Sequence, residues 1–199
     1  LGVMYYNGKG IDKSYKKAFE FFKKAAEHYS DNISKEQINA QNILADMYFR
    51  GIGVRKNYKS ALHWFEKTAE YGNIMGQQNT AIIYYNGYGV VKKNYKKAFK
   101  WYEKLAEQGK QAEIQHFLGD MFYNGQGVKK NSLKACEWYE KAAEQGFVHS
   151  QYNLGFAYEN GDGVKHNKTI AINWYKKAAT QGDEGAKERL SILENKHSD

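Results

Sequence analysis

The sequence contains no proline and only one cysteine, Cys136, among its 199 residues. A single cysteine excludes an intrachain disulfide framework and a cysteine-rich metal site. Its neighbours Ala135 and Glu137 on a predicted helix favour burial of the thiol as a small hydrophobic group. No apolar run approaches the roughly 18 residues that a membrane-spanning helix needs. The six histidines show neither i, i+4 pairing nor the ligand spacing of a zinc site, so no metal site is expected.

Positive charge is abundant by contrast. Lysine and arginine number 30 against 22 aspartates and glutamates, which gives a formal net charge of +8. A basic balance is typical of proteins that bind nucleic acid or another anionic polymer. The lysines alternate with glutamates such as Glu66, Glu103 and Glu140, and this interleaving favours a solvated helix surface over a basic stripe. Both interpretations stay open, with the solvated surface favoured.

The dominant pattern is a fivefold repeat built around a glycine-x-glycine turn that follows an aromatic residue. The copies occupy residues 5–10, 48–53, 84–89, 122–127 and 158–163. Their spacing of about 36 to 43 residues indicates a stacked repeat protein. Such a protein usually offers a long binding surface and no enclosed catalytic pocket.

The fifth copy shows the repeating unit most clearly. An apolar stripe at helical spacing from Ser150 to Tyr158 predicts a first helix, helix A, and Gly155 beside it allows close helix approach. Gly161 is expected to end helix A in the left-handed conformation. Asn167 is placed to cap a second helix, helix B. The two helices form an antiparallel hairpin that buries its apolar face only by stacking on the next hairpin.

Helix B carries the same two features in every copy. A residue with a short polar side chain is placed to cap it, namely Ser14, Asn57, Asn94, Asn131 or Asn167. An aromatic pair lies in its middle, namely Phe21-Phe22, Trp64-Phe65, Trp101-Tyr102, Trp138-Tyr139 or Trp174-Tyr175. The bulky ring, Trp138 in the fourth copy, is expected to fill the space between successive repeats.

The spacing predicts one solenoid over residues 1–199. Its segments are repeat 1, truncated at its start (1–29), an insertion (30–39), repeat 2 (40–72), repeat 3 (73–109), repeat 4 (110–146), repeat 5 (147–182) and a capping helix (183–199). Because the chain begins within a repeat, we expect further residues to precede Leu1. Smaller additions lie at Val90-Val91 and in 110–113.

The insertion contains a capping-box pattern that starts at Ser34 and predicts a longer helix A in repeat 2. Two interpretations of the insertion stay open, a contribution to partner binding and a neutral surface addition.

The repeat resembles a known family. Leu154-Gly155, Tyr158, residues 161–164, Trp174-Tyr175 and residues 177–179 carry the resemblance, as do residues 118–146 in the fourth copy. This combination resembles the Sel-one-like repeat (SLR), a relative of the tetratricopeptide repeat, over nearly the whole chain. It departs at Thr80-Ala81 and Leu44-Ala45, where Leu-Gly is usual, and at Phe21-Phe22. The family's usual aspartate at the start of helix B is asparagine or serine here.

The resemblance implies an all-α fold, an α/α right-handed superhelix (solenoid) of helix-turn-helix repeats that acts as a scaffold for protein assembly. By analogy with tetratricopeptide arrays, it places helix A on the concave face. The residues then expected to bind a partner are Tyr6, Asn42, Asp46, Phe49, Arg50, Gln78, Tyr85, His116, Asp120, Tyr123, Tyr152, Phe156 and Glu159. The same rule adds Val3, Asn7, Ile82, Asn86, Asn124 and Asn160.

Aromatic rings recur beside amides in this set, a combination that suits an extended peptide or a helix. The aromatic row is Tyr6, Phe49, Tyr85 and Tyr123. In the alternative interpretation, the asparagines only cap helix A and some rings pack between repeats.

No catalytic constellation is visible. The glycine turns follow a helix and recur five times, whereas phosphate-binding loops follow a strand and open a helix. Asp46 and Asp120 stand two repeats apart, too far for a shared-proton pair. We therefore expect a non-enzymatic scaffold that binds a protein or peptide and uses no cofactor. The alternative is a basic solenoid that binds nucleic acid, cell-wall polymer or lipid head groups, with nucleic acid disfavoured.

Overall fold

The secondary structure is entirely helical. A computed structural model describes residues 1–28, 33–109 and 111–195, and these ranges contain eleven α-helices and no strand. The helices are α1 (Gly2–Asn7), α2 (Tyr15–Glu27), α3 (Lys35–Arg50), α4 (Tyr58–Glu70), α5 (Ile74–Asn86), α6 (Tyr95–Gln108), α7 (Ala112–Asn124), α8 (Ser132–Glu144), α9 (Val148–Asn160), α10 (Lys168–Thr180) and α11 (Glu184–Asn195). Along the chain, α1, α3, α5, α7 and α9 are the A helices, and α2, α4, α6, α8 and α10 are the B helices. No described helix combines the length and the apolar character needed to cross a bilayer.

The chain divides into two compact units, Leu1–Trp101 (unit 1) and Tyr102–Asp199 (unit 2). In unit 1, consecutive helices pack against each other from α1 through α5. In unit 2, the same holds for α7 to α11. Neighbour-to-neighbour packing is what stacked hairpins require.

The glycine turns end the A helices as the sequence predicts. Gly161 adopts φ 71°, and its N–H donates to the carbonyl of Ala157. The second glycine of the turn is required for a different reason. A Cβ on Gly163 would lie 2.4 Å from the backbone of Ser132, where α8 begins. A Cβ on Gly53 would meet the backbone of Tyr15, the first residue of α2, in the same way, at 2.2 Å. These two turns therefore rest on the start of the preceding B helix, at a distance that only glycine permits.

The predicted caps of the B helices are also confirmed. In all five, the side-chain oxygen of the cap residue accepts a hydrogen bond from the backbone N–H three residues later. Ser34 caps α3 in the same way, and α3 has 16 residues where α5 has 13. Residues 30–32 of the predicted insertion, residue 29 at the end of repeat 1, and residue 110 of the smaller addition lie outside the described residues.

The aromatic pair of helix B corrects one expectation. The prediction placed Trp138 in the packed space, but Trp138 is half-buried and carries the Nζ of Lys141 over its ring, 4.0 Å from the ring centroid. The buried ring is the second of the pair, Tyr139. It fills the space between the two helices of its own repeat, because a Cβ on Gly119 would lie 2.4 Å from it. The size of a ring does not indicate which of two adjacent residues on a helix faces inward, and the prediction for Trp138 is therefore wrong.

A row of buried glutamines, which the sequence reading missed, joins successive repeats. Each lies on an A helix and donates its side-chain N–H to a carbonyl in the last turn of the preceding B helix, where backbone carbonyls have no partner within their own helix. The pairs are Gln41 to Ala26, Gln77 to Ala69 and Gln151 to Ala143, with N–O distances of 3.2, 3.4 and 3.1 Å. These bonds fix how the hairpins stack.

The last described helix, α11, covers the apolar face of α10. Ala186 and Leu193 are buried with Tyr175 in one cluster. Arg189 of α11 donates to the carboxylate of Glu159 on α9, and its Nε lies 3.1 Å from Oε2. Apolar burial and a charged hydrogen bond together hold α11 in place.

Candidate partner-binding cavities

The N-terminal cavity lies in unit 1 between consecutive A helices. Its volume is about 490 Å³. Its lining residues are Val3, Tyr6, Asn7, Phe22, Asn42, Ile43, Asp46, Arg50, Met75 and Asn79. The Nε of Arg50 donates to Asp46 over 2.7 Å, and Asn42 accepts from the hydroxyl of Thr68 over 2.8 Å. The charges of the lining therefore form an ion pair.

The C-terminal cavity lies in unit 2 and has a volume of about 340 Å³. Residues of α7, α8, α9 and the turn after α9 line it. They are Asp120, Tyr123, Asn124, Cys136, Tyr139, Tyr152, Asn153, Phe156, Ala157 and Asp162. Four aromatic rings and two carboxylates thus line the same cavity. Neither cavity has a lysine among its described lining residues.

Hydrogen bonds orient both carboxylates of the C-terminal cavity. The hydroxyl of Tyr139 donates to Asp120 over 2.8 Å. Burial, and then the charge of Asp120, raises the pKa of Tyr139 well above its ordinary value. A hydrogen bond to Asp162 raises the pKa of Tyr123 as well. Both phenols therefore stay neutral hydrogen-bond donors at neutral pH.

His116 supports this arrangement from outside the lining. Its Nδ1 lies 2.9 Å from the Oγ of Ser150, and its Nε2 lies 3.4 Å from Asp120 Oδ2. The ring packs against Phe147, with 4.9 Å between centroids. Burial lowers the pKa of His116 below its ordinary value of 6.5, and the charge of Asp120 opposes this only in part. The imidazole is therefore neutral at neutral pH.

Cys136 is buried, which confirms the expectation from its sequence context. Its Sγ donates to the backbone carbonyl of Asp162 over 3.4 Å. Burial, followed by the charge of Asp162, raises the pKa of the Cys136 thiol to about 11. The thiol is therefore protonated and unreactive at neutral pH.

The predicted aromatic row divides between the cavities and the packing of the repeats. Tyr6 and Tyr123 line cavities. Phe49 instead packs edge-on against Tyr58, with 5.3 Å between centroids, and Tyr85 packs in the same way against Tyr95, also at 5.3 Å. Those partners are the first residues of the B helices. Phe49 also packs against Tyr88 of the next repeat, with 5.2 Å between centroids, and packing between repeats is what the alternative interpretation of the sequence expects.

The structure brings eight of the thirteen predicted site residues to a cavity. Tyr6, Asn42, Asp46 and Arg50 line the N-terminal cavity, and Asp120, Tyr123, Tyr152 and Phe156 line the C-terminal cavity. The other five, Phe49, Gln78, Tyr85, His116 and Glu159, lie outside both linings. Glu159 is engaged by Tyr175, over 2.8 Å, and by Arg189.

The terminal asparagines of the A helices bond to their own helices. Asn124 and Asn160 donate to the carbonyls of Asp120 and Phe156, over 2.9 and 2.8 Å. This is the helix-end role that the sequence left open, although Asn124 also lines the C-terminal cavity.

One position of helix A was overlooked. Ile43, Asn79 and Asn153 all line cavities, and each stands one residue before the leucine position of its repeat. Helical spacing puts this position on the same face as the residues three and seven places later, which were predicted. Extending the stripe by one residue would have found it.

These features define the class of the protein: it is an all-α helical-repeat protein of the α/α solenoid type, with cavities between its A helices. The family model for the Sel1 repeat matches residues 1–30, 38–73, 74–110, 112–147 and 148–183. The chain belongs to the Sel1 repeat family. Proteins of this family generally mediate protein–protein interactions, and the repeat is generally a non-enzymatic scaffold.

Solved structures show the same architecture. The chain is 37% identical to c5321, a protective antigen of uropathogenic Escherichia coli strains with an SLR fold, at a TM-score of 0.81. That match covers 97% of this chain but 39% of the antigen. A Sel1 repeat protein from Oxalobacter formigenes is 31% identical at a TM-score of 0.72, over 96% of this chain and 72% of that one.

Helicobacter pylori cysteine rich protein B is 28% identical at a TM-score of 0.52, over 68% of this chain and 96% of that one. The comparison with curated proteins gives no match.

Proposed function

We propose that this chain is a non-enzymatic interaction scaffold that binds a peptide segment of a partner protein on the surface lined by its A helices. The observation that carries the proposal is that residues expected from the repeat register to face a partner line a cavity within each unit. Both volumes lie within the range of about 300 to 1,000 Å³ that is typical of ligand sites.

The cavities also offer the side chains that anchor peptides. Phe156, Met75 and Val3 are large apolar residues with exposed fractions of 41%, 57% and 55%. Amides and carboxylates surround them. Exposed apolar anchors beside polar groups are typical of interaction hot spots, and each cavity therefore suits one anchoring side chain of a bound peptide.

The basic-solenoid alternative has less support. Lys67, Lys141 and Lys177 lie over the rings of tryptophans three residues earlier on the same helix, at 5.2, 4.0 and 3.8 Å from the centroids. Such contacts stabilise a charged side chain locally. Part of the positive charge therefore serves the packing of individual repeats.

The test uses short random peptides displayed on phage and selected on the immobilised chain. Selected peptides are then synthesised, and their dissociation constants are measured by fluorescence polarisation. Phe156→Ala or Met75→Ala is expected to weaken a selected peptide by about tenfold or more, as for a hot-spot truncation.

Leu133→Ala is the matched control, because Leu133 is an exposed apolar residue of α8 outside both linings. It should leave the affinity unchanged. Peptides that bind both cavity variants as tightly as the parent would show that the binding surface lies elsewhere. Failure to select any peptide would contradict the proposal itself.

A further inference from the structure

We infer that the C-terminal cavity receives an arginine side chain of the bound peptide. The inference rests on the proposed function and names the chemistry of one of its anchors. It follows from three properties of the lining: flat aromatic walls, two charged carboxylates, and the absence of a cation among the described lining residues.

The aromatic walls suit a guanidinium group. Tyr123, Tyr139, Tyr152 and Phe156 contribute rings from α7, α8 and α9. Phe156 is the most accessible of them, with 41% of its surface exposed. A planar guanidinium stacks on such a face through both its charge and its shape. The Nζ of Lys130 lies over the ring of Tyr123, 5.2 Å from the centroid, so a cation of the chain already occupies that ring and Phe156 offers a ligand the more accessible face.

The carboxylates supply the complementary charge. Asp120 and Asp162 face the cavity, and neutral phenols are their hydrogen-bond donors. Neutral donors orient the carboxylates without compensating their charge. His116 is uncharged at neutral pH because burial lowers its pKa. The side chain of Asp120 is 30% exposed, so its charge is partly withdrawn from water, and a bound cation restores the lost stabilisation.

Arginine fits this site better than lysine. A guanidinium presents several N–H donors in one plane and can serve two carboxylates while its face rests on an aromatic ring. The compact ammonium of lysine offers no flat face. The amide oxygens of Asn124 and Asn153 provide further acceptors in the lining.

The N-terminal cavity is the internal contrast. Its carboxylate, Asp46, is already paired with Arg50 over 2.7 Å. Apolar groups such as Met75 and Val3 form much of the rest of its lining. It therefore has no uncompensated negative charge for a ligand cation, and an arginine probe should discriminate between the two cavities.

The test titrates the full chain with two tripeptide amides, acetyl-Gly-Arg-Gly-amide and the same peptide with citrulline. Citrulline keeps the shape of arginine and removes its charge. Amide NMR shifts of Asn153, Phe156 and Ala157 report the site. At low salt the arginine probe should bind about fivefold or more tightly than the citrulline probe, and added salt should reduce that ratio.

Two variants separate the contributions. Asp162→Asn should reduce the ratio between the arginine and citrulline affinities, and Asp120 accounts for what remains of it. Phe156→Leu keeps apolar bulk but removes the ring, and it should weaken the arginine probe about threefold. Because Phe156 is exposed, Phe156→Leu should leave the fold intact. It therefore tests the arginine site even if Asp162→Asn perturbs the turn after α9.

Equal affinity for the two probes overturns the inference, as do shifts confined to Asn42 and Asn79 of the N-terminal cavity. A lysine probe that binds as tightly as arginine overturns the guanidinium assignment. Selected peptides that bind through Phe156 while the arginine probe fails would leave the proposed function intact and refute this inference alone. If the arginine probe binds but no peptide can be selected, the guanidinium site is supported and the proposed peptide-binding function is refuted.

Discussion

The two cavities are built from equivalent positions of the repeat, yet they differ in charge. Asp46 and Asp120 both stand two residues after the leucine of helix A. Four residues later, the N-terminal unit has Arg50 and the C-terminal unit has Asn124. Arg50 forms an ion pair with its aspartate, whereas Asn124 bonds to the backbone of α7. The residue at the position of Arg50 and Asn124 therefore decides whether the charge of the aspartate is paired with a cation of the same chain.

The glutamine rows of the two units differ in the same way. In unit 2, the Oε1 of Gln115 accepts from the side chain of Gln145 over 2.6 Å. In unit 1, the Oε1 of Gln41 is buried and has no hydrogen-bond partner among the described residues. Tyr71 stands where Gln145 stands in the fourth repeat. In repeat 3, Gln108 stands at the position of Gln145, yet the Oε1 of Gln77 is also buried without a hydrogen-bond partner among the described residues. A glutamine at this position is therefore needed to satisfy the buried amide, but the local packing must also bring it within reach.

The largest expected effect concerns the ring that both units bury on helix B. Tyr139→Ala and Phe65→Ala should each lower the free energy of unfolding by about 3–5 kcal/mol, because a large side chain in a close-packed site is lost. Tyr139→Phe makes unit 2 resemble unit 1 and should cost about 1 kcal/mol, the value of one hydrogen bond. Urea unfolding followed by far-UV circular dichroism measures these differences.

Trp138→Ala is the control for the buried ring. Its side chain is half-buried under Lys141, so its removal should cost clearly less than that of Tyr139. Equal losses for the two substitutions would contradict the assignment of the packed ring.

The next effect tests the contact beneath that ring. Gly119→Ala should lower the free energy of unfolding by about 1–3 kcal/mol, because the added methyl group meets the ring of Tyr139. In unit 1, Ala45 occupies this position opposite Phe65, so the two units accommodate the ring differently. The penalty should disappear when Gly119→Ala is made in a Tyr139→Ala background. A penalty that persists there would place its origin elsewhere.

A stabilising substitution follows from the unsatisfied glutamine. Tyr71→Gln places a donor where Gln145 lies in unit 2 and should raise the free energy of unfolding by about 0.5–1.5 kcal/mol. Because Tyr71 is 53% exposed, little apolar burial is lost. Tyr71→Ala is the matched control and should give no gain. If both substitutions have the same effect, Gln41 has not acquired a donor.

The helices and their ends could be predicted because their signals are local and occur five times. A glycine turn and an asparagine cap act within four residues of themselves. The glutamine row could not be predicted, because the carbonyl that Gln41 meets lies 15 residues away and only the stacking of hairpins brings it there.

The candidate site could be predicted in part for the same reason. Helical register alone indicates that Tyr123 and Phe156 share a face. It also selected Phe49, which packs on Tyr58 and Tyr88, because register contains no information on what the next helix presents. The prediction that Trp138 is the buried ring is wrong for a similar reason. The space that Tyr139 fills is created by Gly119, which lies on another helix.

The smallest expected effect concerns pH. His116 and Asn42 occupy the same repeat position, so His116→Asn gives unit 2 the residue of unit 1. Burial lowers the pKa of His116 in the folded chain, and the unfolded chain therefore binds the proton more readily. This contribution to stability is complete above the ordinary value of 6.5 and is lost as the pH falls through the lower, folded value.

The groups that face His116 are Ser150, Asp120, Glu113, His149 and the rings of Phe147, Phe117 and Tyr139. Asp120 and Glu113 attract the proton and limit the loss, which is why the effect should be small. Urea midpoints at about pH 7.5 and about pH 5.5 measure it. The parent should lose more stability between these values than His116→Asn does, because asparagine does not titrate. An equal loss in both would contradict the role of His116 in the acid sensitivity of unit 2.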